Sequence, residues 1–317
     1  MAYRFASDET VREAFARTAR EQLLAAETAL TRDLDADPVD AIHSTRKAVK
    51  KERALLRLIR GSVGRDDRRH ENAALRQAAR TLSGARDADV IIKTLDALAD
   101  RYAGQIPHHE FAALRERLQD GAGEGADPEA AAQAVAELRV SRERIAGWKL
   151  AQGGWAALEP GLRRSYRRGM TAFALARREP TDERLHDWRK RVKDLWYDLR
   201  LLAEVGGPSV RGQAKDAHAL ADLLGDDHDL AVLRERLVGI SGGVAADVDA
   251  VLGLLDHRRS QLQAQAVALG ERVYADRPKA FVGRLRACWR AGRRQHRETR
   301  RRDPADLADV TRTPVAH

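Results

Sequence analysis

The sequence contains few of the residues that mark several common classes of protein. Its 317 residues include one cysteine, Cys288, which excludes an internal disulfide framework and any zinc site that needs two cysteines from the same chain. Aromatic residues make up only 5% of the chain. Runs of β-branched residues are also scarce, whereas alanine, leucine and arginine are abundant. This composition favours an all-α protein.

The sequence also lacks a long apolar run. No stretch of about 18 apolar residues occurs, so no transmembrane helix is expected. Residues 1–10 carry charges and no apolar core of the kind that signal peptides have. Together with the single cysteine, these features predict a cytoplasmic protein.

The balance of charge is basic. Lys and Arg number 57 against 48 Asp and Glu, which gives a formal net charge of +9 at pH 7. Such a balance favours polyanionic partners, namely nucleic acid, anionic lipid or inorganic phosphate chains. Because acidic residues are still numerous, the local clustering of cations carries more information than the total charge.

One stretch of the sequence occurs twice. Residues 43–58 correspond to residues 186–201 at a constant offset of 143, and His, Arg, Lys, Val, Lys, Leu, Arg and Leu recur at matching places. A second pair, 82–90 and 224–232, matches at an offset of 142. The chain therefore reads as two related halves. We predict a first helical bundle over 1–152, a second over 153–298 and a basic, disordered tail over 299–317.

Cap and turn residues predict where the repeated helices begin and end. Asp37-Pro38 is typical of a helix start with proline at the first position, and Thr181 is a cap for the second repeated helix. Gly206-Gly207-Pro208 predicts a stop. The boundary between the halves is expected between Gly153-Gly154 and Glu159-Pro160-Gly161.

The repeated segments carry their cations on one face when they are placed on helices at about 100° per residue. Asp187, Asp194 and Asp198 fall outside the second stripe, and Glu52 lies opposite the first. A solvated helix face usually mixes both signs of charge, so a stripe of cations alone indicates a bound anion. The first stripe is His43, Arg46, Lys47, Lys50, Ala54 and Arg57, and the second is His186, Arg189, Lys190, Lys193, Tyr197 and Arg200.

The motif His186-x-x-Arg189-Lys190-x-x-Lys193-x-x-x-Tyr197, with Tyr-Arg-Arg-Gly at 166–169 before it and Leu224-Gly225 after it, resembles the CHAD family. The first half carries the matching His43-x-x-Arg46 and Arg86-Asp87-x-Asp89-Val90 elements, and the resemblance covers residues 8–296. It implies two helical bundles related by a pseudo-twofold axis around a basic central cavity that binds inorganic polyphosphate, and an association with polyphosphate granules. The chain departs from the pattern at Ser83, which matches Gly225, and at Arg53, which matches Trp196.

The candidate site consists of cations that could contact phosphate oxygens. Arginine offers bidentate contacts and lysine a mobile point charge, while His43 and His186 can donate hydrogen bonds and gain charge near pH 6.5. Packing or capping roles stay open for the histidines, and a solvated face stays open for the arginines of the helix before the second stripe. The candidates are His43, Arg46, Lys47, Lys50, Arg57, Arg163, Arg167, Arg168, His186, Arg189, Lys190, Lys193, Arg200, His228 and Arg20.

We predict that the protein binds inorganic polyphosphate without catalysis, and that it needs neither a cofactor nor a metal. A nucleic-acid-binding protein is the alternative, although the stripes offer only one aromatic residue on which a base could stack. A phosphohydrolase or kinase acting on phosphate chains is the weaker alternative, because it would need clustered carboxylates to hold Mg²⁺. The aspartates Asp87, Asp89 and Asp229 are interpreted as helix caps and arginine partners rather than metal ligands.

Overall fold

The computed structural model describes residues 3–82, 87–104, 108–119, 127–240 and 245–302, and within these ranges it contains ten helices and no strand. The prediction of an all-α fold is confirmed. The helices are α1 (Val11–Thr28), which continues into a π-helical turn (Ala29–Asp33), α2 (Pro38–Leu58), α3 (Arg65–Thr81), α4 (Asp87–Arg101), α5 (His108–Gln119), α6 (Pro128–Ala146), α7 (Gly154–Arg178), α8 (Asp182–Ile240), α9 (Ala245–Val273) and α10 (Pro278–Arg302).

The predicted caps fix the starts of the two repeated helices. At α2 the carboxylate of Asp37 accepts a hydrogen bond from the backbone N–H of Asp40 at 2.9 Å, and Pro38 occupies the first helical position. At α8 the hydroxyl of Thr181 accepts from the N–H of Arg184 at 3.3 Å. Each cap satisfies a backbone donor that has no partner within its helix.

The backbone of α8 leaves the helical conformation at Gly207, where the predicted stop lies. Gly207 has φ +72° and ψ −162°, a conformation that glycine adopts without a steric penalty. Pro208 follows, and the chain resumes a helical path at once rather than entering a loop. The stop signal therefore produces a break within one long helical segment.

Helix α7 runs through the Glu159-Pro160-Gly161 signal instead of ending there. It begins at Gly154, where the Gly153-Gly154 signal lies, and Pro160 is within the helix. Gly161 lies against the end of α2, where an added Cβ would be 1.9 Å from the carbonyl oxygen of Leu58. Glycine at this position thus permits two helix backbones to meet, and it brings α7 beside α2.

Two groups of buried apolar side chains hold the helices together. The larger group joins α1, α2, α3, α6, α7, α10 and α8 as far as Leu224, and it includes Ala266 of α9; Phe15, Tyr166 and Trp188 are among its largest members. The smaller group joins α4 and α5 to the later part of α8 and to α9, through residues such as Leu95 and Leu255. Both groups cross the predicted boundary at residue 152, and the pseudo-twofold relation between two bundles stays a prediction.

Several predicted features lie outside the described residues. These are Ser83, Arg86 and the tail beyond Arg302; α10 itself covers the first four residues of the predicted tail, 299–302. Within the described ranges, none of the helices combines the length and the apolar character that crossing a bilayer requires.

Candidate functional site

A cleft of about 920 Å³ lies between the α2–α3 pair and the α7–α8 pair. Each pair contributes nine of the eighteen described residues that line it. The first wall is Lys50, Arg53, Arg57, Arg60, Arg65, Arg68, Arg69, Asn72 and Arg76, and the second is Arg164, Arg168, His186, Arg189, Lys190, Arg191, Lys193, Asp194 and Tyr197.

Helical spacing explains why these cations share one cleft. On α2 and just beyond it, Lys50, Arg53, Arg57 and Arg60 follow each other at intervals of three, four and three residues, which places them on one helix face. On α7, Arg164 and Arg168 are four residues apart. The opposite faces of these helices are buried in the larger apolar group, so the cations are held at the open side.

The lining is strongly positive. Fourteen of the eighteen lining residues are Lys or Arg, and Asp194 is the one carboxylate among them. Burial lowers the pKa of Arg53 to about 10, with Arg57 the next cause, and burial followed by neighbouring arginines also lowers the pKa values of Arg60 and Arg168. These groups remain charged at pH 7, but they repel each other in a partly desolvated space.

Several hydrogen-bond donors of the cleft are buried and unmet. Among the described residues, the Nε atoms of Arg57, Arg68 and Arg189 have no hydrogen-bond partner. Nδ1 of His186 has none either, and it is a donor or an acceptor according to the tautomer of the ring. By contrast, Arg53 Nε donates to Asn72 Oδ1 at 3.0 Å, which ties α2 to α3. A buried donor without an acceptor is costly, and an anion in the cleft would supply the missing acceptors.

Asp194 corrects the sequence-based interpretation of the second stripe. It was expected outside the stripe, yet it lines the cleft and accepts a hydrogen bond from Arg57 Nη2 at 2.6 Å. Arg191 Nη1 is 3.6 Å from its other oxygen. The reason is that Arg57, which reaches across from α2, and Arg191 both direct their guanidinium groups toward it. The single carboxylate of Asp194 is therefore shared by two of the lining cations.

The two histidines of the second half lie side by side. The ring centroids of His186 and His228 are 4.2 Å apart, which connects the first part of α8 to the part beyond the break. Burial first, then the neighbouring charges including Arg189 and Lys190, lowers the pKa of each ring to about 4. Both rings are thus neutral at pH 7, so the expected gain of charge near pH 6.5 is wrong for His186.

Seven of the fifteen predicted residues line the cleft, and one more lies next to it. His228 is the neighbour, through its contact with His186. The candidates His43, Arg46 and Lys47 belong to an earlier part of α2 and are not among the lining residues. The seven are Lys50, Arg57, Arg168, His186, Arg189, Lys190 and Lys193.

The other four predicted residues point elsewhere. Arg163 pairs with Glu159 on its own helix, and Arg167 is exposed outside the cleft. The guanidinium of Arg200 lies 5.8 Å from the ring centroids of both Tyr3 and Trp196. Arg20 lines a separate, mainly apolar groove between α1 and α6. On α7 the arginines that line the cleft are therefore Arg164 and Arg168, rather than Arg163 and Arg167.

Eleven lining residues are absent from the candidate list, and most carry a readable signal. Arg53 and Arg60 continue the spacing of three and four residues on either side of Arg57. The predicted stripe contains Ala54 instead of Arg53, although Ala54 is fully buried. The α3 residues form a third basic stripe of the same kind. The missed residues, besides Asp194 and Tyr197, are Arg53, Arg60, Arg65, Arg68, Arg69, Asn72, Arg76, Arg164 and Arg191.

Comparison with known proteins identifies the family. A sequence model of the CHAD domain matches residues 14–238. The chain belongs to the CHAD family. The match includes α2, α3, α7 and the first part of α8, so both walls of the cleft lie within the CHAD domain. The resemblance expected from the motifs over 8–296 is thereby confirmed for the greater part of its extent.

Two relatives of this chain come from Mycobacterium tuberculosis, an uncharacterized protein of strain CDC 1551 / Oshkosh and an uncharacterized protein of strain ATCC 25618 / H37Rv. Each is 30% identical to this chain over 253 residues, which is 73% of the chain and 47% of the relative. The chain thus spans about half the length of the curated relatives it matches.

Proposed function

We propose that the cleft binds inorganic polyphosphate and that this binding, without catalysis, is the function of the protein. The observation that carries the proposal is the ratio of charges: fourteen cations line the cleft and one carboxylate opposes them. A phosphate chain carries roughly one negative charge per phosphate and has no bases to read. A cleft that offers spaced guanidinium and ammonium groups fits such a ligand.

Membership of the CHAD family supports the same ligand, since the family is associated with polyphosphate. Association with polyphosphate granules in the cytoplasm is part of this proposal. The unmet Nε donors of Arg57, Arg68 and Arg189 add to the support, because phosphate oxygens are strong acceptors for them.

Nucleic acid is the alternative ligand, and the lining of the cleft disfavours it. Single-stranded nucleic acid is usually held by stacking its bases on exposed aromatic rings. Tyr197 is the one Phe, Tyr or Trp side chain among the described lining residues, and only 6% of it is exposed. Trp196 packs against Tyr197 and His218 instead of lining the cleft.

We expect long-chain polyphosphate to bind tightly, with little displacement by single-stranded DNA, double-stranded DNA, RNA or orthophosphate. The measurement is a competition titration against labelled polyphosphate at about 50 mM and 200 mM salt, since counterion release makes the affinity fall as salt rises. Equal displacement by every polyanion at equal charge would contradict the proposal, because the cleft would then act as a generic basic surface.

We also expect the purified protein to leave the length of polyphosphate unchanged in the presence of Mg²⁺ or Mn²⁺. Metal-assisted hydrolysis needs carboxylates that are available to hold the metal, whereas the lining carboxylate Asp194 is hydrogen-bonded to Arg57. Gel electrophoresis of the chains after incubation is the measurement. Shortening that co-purifies with the protein and disappears in a variant of the cleft would show that the protein is an enzyme.

A further inference from the structure

Asp194 occupies an unusual place for an acid. It lies within a cleft whose other charged lining residues are all cationic, and its side chain is 17% exposed. Its partner Arg57 belongs to the opposite wall, so the hydrogen bond of 2.6 Å crosses the cleft. Arg191, from its own helix, approaches the second carboxylate oxygen. The carboxylate is therefore placed where an anionic ligand would be expected to meet both walls.

The contact with Arg57 is incomplete. A guanidinium holds a phosphate best through two parallel donors, such as Nε and Nη2. Asp194 takes Nη2, and among the described residues Nε is left buried without a partner. A phosphate group could use both donors, but it must first compete with a carboxylate that is covalently tethered beside them and hence present at high local concentration.

This competition affects short and long chains differently. A short chain reaches few cations, so the loss of Arg57 and Arg191 to Asp194 removes a large share of its contacts. A long chain can engage the other twelve lining cations, and it can shift its register to avoid the acid. We propose, in an inference that rests on the proposed function, that Asp194 is an internal competing anion. It sets the minimum charge that a phosphate chain needs in order to bind.

The test is Asp194→Asn, which keeps the shape of the side chain and removes its charge. We expect the affinity for tripolyphosphate to rise about tenfold and that for long-chain polyphosphate less than about threefold, as measured by calorimetry. Asp187→Asn is the matched control. This control removes one negative charge from the same helix. Asp187 is also a partner of Arg191, whose Nη2 donates to Asp187 Oδ1 at 2.7 Å, but Asp187 does not line the cleft. The control should change either affinity by less than about twofold.

The outcomes separate this inference from the proposed function. If the wild-type protein binds polyphosphate and folded Asp194→Asn binds tripolyphosphate no more tightly, or if both ligands gain equally, the inference about Asp194 is wrong and the proposed function stands. If wild type binds no phosphate chain of any length while the Asp194→Asn variant binds tripolyphosphate, the competing role is supported and the proposed function fails. If no phosphate chain binds to either protein, both are wrong.

Discussion

Replacement of Arg189, Lys190 and Lys193 by alanine together should weaken polyphosphate binding on the order of a hundredfold at low salt. These three residues line one wall of the cleft, and none of them is buried. Each removed cation takes away a charge-assisted contact, and the magnitude of the slope of log affinity against log salt should fall by about 2, since three fewer phosphate charges are neutralised and each releases about 0.7 counterion. Titrations of wild type and variant at several salt concentrations measure both quantities.

The fold should survive this substitution, because the apolar face of α8 is formed by other residues, among them Trp188 and Val192. Circular dichroism should show unchanged helicity. A control variant removes three cations from the exposed face of α10 and keeps the net charge equal: Lys279, Arg286 and Arg290 to alanine. If the two variants bind polyphosphate equally well, the binding site lies outside the cleft.

The buried carboxyl of Glu52 should lower the free energy of unfolding by as much as about 4 kcal/mol between pH 5 and pH 8, and Glu52→Gln should remove this contribution. Glu52 is fully buried on α2, and among the described residues neither of its oxygens has a hydrogen-bond partner. Burial, and next the nearby Glu71, raises its pKa to about 8. Glu71 itself is bonded by Arg144, at 2.8 and 3.1 Å.

The direction in which the free energy of unfolding changes with pH is set by proton binding. Between the ordinary pKa of 4.5 and the raised value of about 8, the folded protein keeps the Glu52 proton while the unfolded chain releases it. The stabilisation is therefore complete below pH 4.5 and is lost as the pH rises toward 8, at about 1.4 kcal/mol per pH unit.

Urea unfolding of wild type and Glu52→Gln at four pH values measures the slope. The exposed Glu143→Gln is the control and should keep the slope of the wild type. A residual slope in the Glu52 variant is expected from Asp198, whose pKa burial also raises to about 8. An equal slope in wild type and Glu52→Gln would show that Glu52 is ionised in the folded protein.

The sequence predicts much of the fold because the signals involved are local. The caps at Asp37 and Thr181 and the break at Gly207 depend on residues next to them in the chain, and the structure has all three. Pro160 and Gly161 are different. Their composition is typical of a turn, yet contact with Leu58, about a hundred residues earlier, keeps them within α7. Tertiary packing overrides a local signal there, and no pattern near residue 160 reveals it.

The same distinction between local signals and tertiary packing applies to the site. Helical periodicity finds the cationic face of each repeat, and it would also have found Arg53 and Arg60 if the three-and-four spacing had been continued. Periodicity places Asp194 outside the stripe, however, because it cannot show that Arg57 of another helix reaches across to it. It also could not choose between Arg163 and Arg164, since that choice depends on how α7 is rotated against α2.

The division of the cleft between two distant parts of the chain has a consequence during synthesis. The first wall is complete at Arg76 and the second only at Tyr197, 121 residues later. At the usual rates of translation, a ribosome needs about 6 to 24 s to add this length. Throughout that interval the eight cations of the first wall have no second wall opposite them, so the shape of the cleft cannot exclude nucleic acid. The second wall is complete only when α8 has been added as far as Tyr197, so selectivity among polyanions is acquired late in synthesis.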